Sequence, residues 1–305
     1  PRRRVACAEQ WRRLGCQCRD FGRTSRADKL ARTPPRAIYH LGHRSQRSCG
    51  PLHRPAPADA GFAVGGSQTV SAVGTVYGVG VGPGDPGLVT RAGWRAIQNA
   101  SVIAYPTLED GPSFARSIVA DAIAPDVVEI AMSVPMTLAR KPAQDAYDKG
   151  ADEIATHLRE GRDVVVLCEG DALFYGSFMY VLARLRGQAA ISVIPGVTSV
   201  TAVAAAALRP LVARNEVMTV LPGPLDDDSL RAHIAASDSL AIMKVGRHFT
   251  RLRALIDMMG LTQKSWFVSH ASLPHEQSCA LADAPDKAPY FSLILILKET
   301  DEWTG

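Results

Sequence analysis

The sequence predicts an α/β protein of two domains. Three observations carry that expectation. Short apolar runs alternate with amphipathic segments of helical period between residues 75 and 208, the pattern of strand–helix–strand units around a largely parallel sheet. The runs at 102–105, 163–167 and 290–297 are apolar at nearly every position, as strands covered on both faces are. Glycine-rich turns follow several of these runs, at the carboxyl ends where open α/β sheets bind ligands.

The elements follow in order. A strand is expected over 76–81, then a tight loop Gly82-Pro83-Gly84-Asp85-Pro86-Gly87 and a helix over 90–99. A strand at 102–105, a helix at 113–123 and a strand at 127–130 come next. The segment 143–160 places Tyr147, Ala151, Ile154 and Leu158 on one helical face and stops at Gly161. The strand at 163–167 leads into Cys168-Glu169-Gly170-Asp171-Ala172-Leu173-Phe174-Tyr175-Gly176-Ser177, with Ser177 expected to cap a helix over 178–185. A strand at 191–194, the turn Pro195-Gly196-Val197-Thr198-Ser199 and a helix over 200–208 complete an N-terminal domain of residues 75–212, closed by the linker-like 209–214. A C-terminal domain of residues 213–305 then holds strands at 217–221, 240–243, 265–269 and 290–297, the last expected to be central, and helices at 230–236 and 248–259. Asp226-Asp227-Asp228 reads as a helix cap and dipole partner before it reads as a metal cluster.

Composition narrows the function. The chain has 305 residues, is 47% hydrophobic and carries a formal net charge of +4. Residues 1–60 hold 14 Lys and Arg against 4 Asp and Glu, so the remainder of the chain is net acidic and offers no footprint for nucleic acid. Residues 1–74, rich in Arg, Pro, Ser and Gly and without periodicity, are expected to be a disordered or spurious extension. Cys7, Cys16, Cys18 and Cys49 lie there, and their C-x-C spacing is not that of a zinc module; no metal is expected. Cys168 and Cys279 alone remain elsewhere, which fits a reducing cytoplasm. No apolar run is long enough for a membrane span and no secretory signal is visible, so no membrane partner is expected.

The first loop superficially matches a dinucleotide fingerprint. Asp85 stands where the third Gly belongs, two prolines remove N–H groups, and no ribose-binding acid follows near residue 105. A nicotinamide oxidoreductase is therefore a weak alternative. Taken alone, Gly170-Asp171 fits either an ordinary βα turn or a ligand-binding turn, and Thr198 either a plain N-cap or a ligand contact.

The motifs taken together are more specific. Residues 79–90, Glu169-Gly170-Asp171, 194–199, Met243-Lys244-Val245-Gly246-Arg247 and Ser269-His270-Ala271-Ser272, in this order, resemble the tetrapyrrole methylase family over residues 75–298. Ser133-Val134-Pro135-Met136-Thr137 and the full 168–177 run resemble the branch that methylates C20 of precorrin-2 in cobalamin biosynthesis. The resemblance implies two α/β domains with a cofactor cleft between them, S-adenosylmethionine (SAM) as methyl donor, a tetrapyrrole substrate and a homodimer. It places cofactor contacts on Pro83, Gly170, Asp171, Phe174, Thr198, Ser199, Val245 and Ala271. Members of the family usually carry Pro after Gly-Asp, where this chain has Ala172. A ring bearing several carboxylates calls for Arg and Lys, and Lys244 and Arg247, leaving a buried strand, are the preferred substrate contacts over Arg91, Arg140, Lys141 and Arg209. Glu169, His248 and His270 are candidates for a base. Methylation of a cobalt-containing ring, or catalytically silent SAM binding, remain alternatives.

Overall fold

The computed structural model describes residues 73–108, 111–135 and 140–298, and the side chains of all of these except Arg140. Residues 1–72 of the expected 1–74 extension, with its four cysteines, and Met136 and Thr137 lie outside the described residues. Residues 73–298 belong to one compact unit that carries two five-stranded sheets.

The first sheet has strand order β3-β2-β4-β1-β5 and is parallel throughout. Its strands are β1 (Thr75–Gly80), β2 (Val102–Thr107), β3 (Val128–Ser133), β4 (Val164–Cys168) and β5 (Ala190–Ile194). Helices α1 (Arg91–Gln98) and α2 (Phe114–Ile118) cover one face; α3 (Arg140–Arg159) and α4 (Phe178–Leu185) cover the other. The period of two is visible within β4. Val164 and Val166 join Ile154, Leu158 and Phe178 on the α3/α4 side, while Val165 and Leu167 join Ile97 and Ile118 on the α1/α2 side. Gly78 makes room for this packing, since a Cβ there would sit 2.4 Å from the Phe178 ring. The chain leaves β1 towards β2 and leaves β4 towards β5, in opposite directions, so the gap between their carboxyl ends is a topological switch point.

The second sheet has order β6-β7-β10-β8-β9, built from β6 (Met218–Pro222), β7 (Ser239–Met243), β8 (Ser265–Ser269), β9 (Gln277–Ala280) and β10 (Ser292–Leu297). Helices α6 (Asp227–Ala236) and α7 (Phe249–Met258) bury Leu230, Ile234, Phe249, Leu252 and Ile256 against one face. Helix α5 (Ser199–Ala207), which follows the first sheet in sequence, lays Val200, Ala202 and Val203 on the other face, against Ala241, Val268, Leu293 and Leu295. Its alanines keep that contact close.

The structure corrects the sequence reading in several places. Only β6 and β7 pair in parallel in the second sheet; every other pairing there is antiparallel. The connection 270–276 is too short for the crossover a parallel neighbour needs, so β9, an unexpected strand, returns beside β8. β10 is central, as expected, but runs against both neighbours. Ser177 makes no capping bond to α4; its hydroxyl instead lies 3.6 Å from the Cys168 Sγ. Asp226 caps α6 by accepting from the Ser229 N–H, as the acidic run suggested.

Candidate functional site

Three loops meet at the carboxyl edge of the first sheet, one each from the adjacent strands β4, β1 and β5. Their backbones touch because the contact residues are glycines. Gly82 and Gly170 exchange two hydrogen bonds, N–H to carbonyl, of 3.1 and 2.8 Å. A Cβ on Gly196 would lie 2.1 Å from the Gly170 carbonyl oxygen, and one on Gly80 would lie 2.6 Å from the same oxygen. Gly170 has φ +66°, a conformation that favours glycine.

Asp171 locks this junction. Its Oδ1 accepts from the Leu173 and Phe174 N–H groups at 2.9 and 3.0 Å, and its Oδ2 accepts from the Gly196 N–H at 2.9 Å. Burial alone raises the carboxyl's pKa, but the three N–H donors outweigh it and hold the group below the ordinary aspartate value. The expected ligand-binding carboxylate is therefore already engaged by the backbone, and its visible role is to fix the loop.

The second sheet supplies the facing wall. Lys244 leaves β7, His270 and Ala271 leave β8, and Tyr290 and Phe291 enter β10; all converge because β10 runs antiparallel to both neighbours. The walls are tied together. The Asp85 N–H donates to Ser272 Oγ at 3.2 Å, and the rings of Phe114 and Phe291 stand 4.5 Å apart.

Between the walls lie two cavities. The smaller, about 160 Å³, is lined by Pro83, Gly170, Asp171, Phe174, Thr198, Ser199 and Ala271, seven of the eight residues expected to contact a cofactor. Thr198 both lines it and caps α5, accepting from the Thr201 N–H at 3.4 Å. The eighth, Val245, lines neither cavity: its side chain is fully buried in the α6/α7 core of the second sheet. The larger cavity, about 700 Å³, lies beside the smaller one and is bounded by Thr107, Val134, Tyr147 and Ser177 among others. The two share a wall of Phe114, Glu169, Tyr175, Tyr290 and Phe291.

The basic residues are placed differently from expectation. Lys244 lines the smaller cavity, with Nζ 5.4 Å from the centroid of the Tyr175 ring. Arg247 lines neither cavity, and its Nε lies 3.3 Å from His248 Nε2. A 3₁₀ turn over Gly246–His248 carries both away from the cleft. Among the described residues no Lys or Arg lines the larger cavity.

Of the candidate bases, His248 also lies outside both cavities. His270 lines the smaller one, its imidazole pKa lowered by burial and then by His275. Glu169 lines both; it is exposed to the open cleft, and desolvation by the surrounding protein raises its carboxyl from the ordinary glutamate value. Cys168 is fully buried and its thiol is pushed up to about 12 by that burial, so it is no nucleophile. Sequence reasoning did not single out Tyr175, Tyr290 or Phe291. The usable signal was the aromatic pair just ahead of an all-apolar strand.

Comparison with known proteins agrees with this geometry. The family model for tetrapyrrole (corrin/porphyrin) methylases matches residues 75–284. The chain is 38% identical over 236 residues to the cobalamin biosynthesis protein CobIJ of Mycobacterium tuberculosis, covering 74% of this chain but only 46% of that one, so it spans about half the relative's length. It is 36% identical over 233 residues to a precorrin-2 C(20)-methyltransferase of a Sinorhizobium species, covering 73% of this chain and 95% of the relative. The crystal structure of cobalt precorrin-4 methyltransferase superimposes with a TM-score of 0.58 at 22% identity, over 76% of this chain and 98% of that one. The glycine junction, the paired cavities and these matches together place the chain in the tetrapyrrole methylase family.

Proposed function

We propose that the chain is a SAM-dependent C-methyltransferase that methylates C20 of precorrin-2, giving precorrin-3A in cobalamin biosynthesis. The observation that carries the reading is the pairing of a small cavity, lined by seven of the expected cofactor contacts, with a larger one across a shared aromatic wall. The relatives of matching length and name support the choice of substrate.

The smaller cavity suits SAM on chemical grounds. The glycine junction has room for its own backbone crossing only because Gly80 and Gly196 lack a Cβ, and it leaves the Gly170 backbone bare on the cavity wall. The start of α5, with Thr198 and Ser199, offers N–H groups and hydroxyls to a carboxylate or an adenine edge. Val203, Met243, Val268 and Leu293 offer apolar surface to a purine. When bound, SAM supplies an electrophilic methyl group on a sulfonium. The chain's task is to hold the ring carbon about 3–3.5 Å from that methyl and in line with the breaking bond. The shared wall is where the two ligands would meet, and its four aromatic side chains offer faces for a flat macrocycle. In this reading the domains are 75–212 and 213–305, with the cleft between them, and the enzyme is a homodimer.

The test is turnover of precorrin-2 with methyl-labelled SAM, read by product mass and by the NMR position of the label. Label at C20 supports the proposal. Label at another ring carbon, or turnover of the cobalt-containing ring alone, would replace it with a different member of the family. Titration calorimetry with S-adenosylhomocysteine (SAH) and with NAD separates it from the oxidoreductase alternative.

A further inference from the structure

Glu169 is the only carboxylate, among the described residues, that borders both cavities. It follows directly on β4, so its backbone is set by the central strands of the first sheet. The other residues of the shared wall are Phe114, Tyr175, Tyr290 and Phe291. Asp171, two residues on, has both oxygens committed to backbone N–H groups. The Glu169 carboxylate makes no hydrogen bond or ion pair with any described residue.

The ionisable groups around it come from every element of the cleft. Cys168, Asp171 and Tyr175 lie on its own strand exit, Tyr147 on α3, Lys244 on the β7 exit, His270 on the β8 exit and Tyr290 at the β10 entry. Tyr290 feels it: that phenol's pKa is raised first by burial and then by the Glu169 charge. Glu169 is itself exposed to the open cleft, but the surrounding protein desolvates its carboxyl and no cation sits on its oxygens, and both make it a stronger base than a carboxylate in water.

We infer that Glu169 is the base that removes the proton from the ring carbon receiving the methyl group. The inference rests on the methyltransferase reading. The π pair at the meso carbon forms the new C–CH3 bond while the S–CH3 pair passes to sulfur. The ring is then cationic, with a tetrahedral carbon bearing both H and CH3. The C–H pair returns to the ring and restores its conjugation, and the proton passes to a Glu169 carboxylate oxygen. The neutral acid afterwards releases that proton to solvent. His270 borders only the smaller cavity, and a Lys ammonium has no lone pair to accept a proton.

The experiment compares the full chain with Glu169→Gln, which keeps the side chain's size, and with Glu169→Asp. Melting temperature monitors folding, calorimetry the SAH affinity, and absorbance the binding of precorrin-2 in the presence of SAH. The Gln variant is expected to bind both ligands within threefold of the parent while kcat falls by about 10²–10⁴-fold. The acid limb of the parent's kcat–pH profile should vanish in what activity remains, and Glu169→Asp should recover part of the rate. A Gln variant with kcat within threefold of the parent overturns the inference. So does a loss of kcat matched by loss of tetrapyrrole affinity, or an acid limb that persists. If Glu169→Gln fails to fold, Glu169→Asp decides: a lower kcat with a displaced acid limb supports the inference, and a kcat and acid limb equal to the parent's overturn it. A parent that neither binds SAH nor methylates any tetrapyrrole overturns the methyltransferase reading, and the inference with it.

Discussion

Replacing Asp171 with Ala tests whether the glycine junction is held by a side chain or by the ligand it faces. The substitution removes three acceptor contacts, to the N–H groups of Leu173, Phe174 and Gly196, at 2.9, 3.0 and 2.9 Å. Leu173 and Phe174 are exposed, so water can take over their N–H groups at a net cost of about 0.5–1 kcal/mol each. The Gly196 N–H is packed near Gly80 and Gly170, where an unsatisfied donor costs about 1–3 kcal/mol. The total expected loss of stability is about 2–4 kcal/mol, allowing for partial relaxation of the loop. For a protein of this size that corresponds to a fall in Tm of about 4–12 °C. SAH affinity should fall by about tenfold or more, near 1.4 kcal/mol, because the loop carrying Gly170 and Phe174 loses its fixed shape. Differential scanning calorimetry and titration calorimetry read the two quantities. An unchanged Tm with SAH binding abolished would refute the loop-fixing argument and return Asp171 to a direct ligand contact. Unchanged values of both would remove it from the site.

Gly196→Ala should lower stability by about 1–3 kcal/mol or prevent folding, since the Cβ meets backbone, and backbone has nowhere to retreat; a chemical melt equal to the parent's would sink this. Lys244→Ala should weaken SAH binding severalfold, while Arg247→Ala, which lies outside both cavities, should leave SAH affinity within twofold; calorimetry showing the reverse order would mean the cleft is wrongly drawn. Glu129 accepts from Arg116 Nε at 2.6 Å and from the Tyr105 hydroxyl at 2.6 Å, and the Arg116 bond chiefly holds its carboxyl below the ordinary value. Its stabilising contribution is therefore complete above the unfolded glutamate pKa and is lost as pH falls through the lower folded value. Tm measured from pH 6 down to pH 2 should drop more steeply in the parent than in Glu129→Gln, and parallel curves would contradict the assignment.

The first sheet was legible because its signals are local. Most strands are largely apolar, β3 alternates about Glu129, the β4 residues alternate between two helix-covered faces, and Thr90, Ser113 and Thr198 each cap the helix they precede. Most of the candidate cofactor residues, which came from the family resemblance and not from local signals, sit on the turns after β1, β4 and β5. The strand directions of the second sheet were not legible because strand direction is not a local property. An apolar run such as β10 reads alike in either direction, and only its place between β7 and β8 makes it antiparallel. Without the direction of β10 nothing marked Tyr290 and Phe291, which reach the cleft because β10 begins where its neighbours end. Val245 and Arg247 line neither cavity for a local reason that the sequence did not show. Lys244 turns into the left-handed region and a 3₁₀ turn follows, so the next side chains rotate away from the edge.

The backbone of the site is strained in a way that the two sheets can sustain. Tyr175, Lys244 and His270 have φ of +55°, +56° and +52°, and all three border the smaller cavity. A non-glycine residue in that region costs about 1–2 kcal/mol, so the three together weigh against a net stability of only about 5–15 kcal/mol. Each is fixed from outside itself. Tyr175 follows the loop clamped by Asp171, Lys244 follows the buried strand β7, and His270 donates its N–H to the Phe291 carbonyl at 2.8 Å. The fully buried strands behind them, β4, β7 and β8 with their helices, supply the packing that offsets the strain. The left-handed turns have a geometric consequence. Each throws its side chain off the line of its strand, and in all three cases the side chain ends on the cavity wall. Glycine at these positions would relax the backbone and delete the wall, so stability and site pull in opposite directions here.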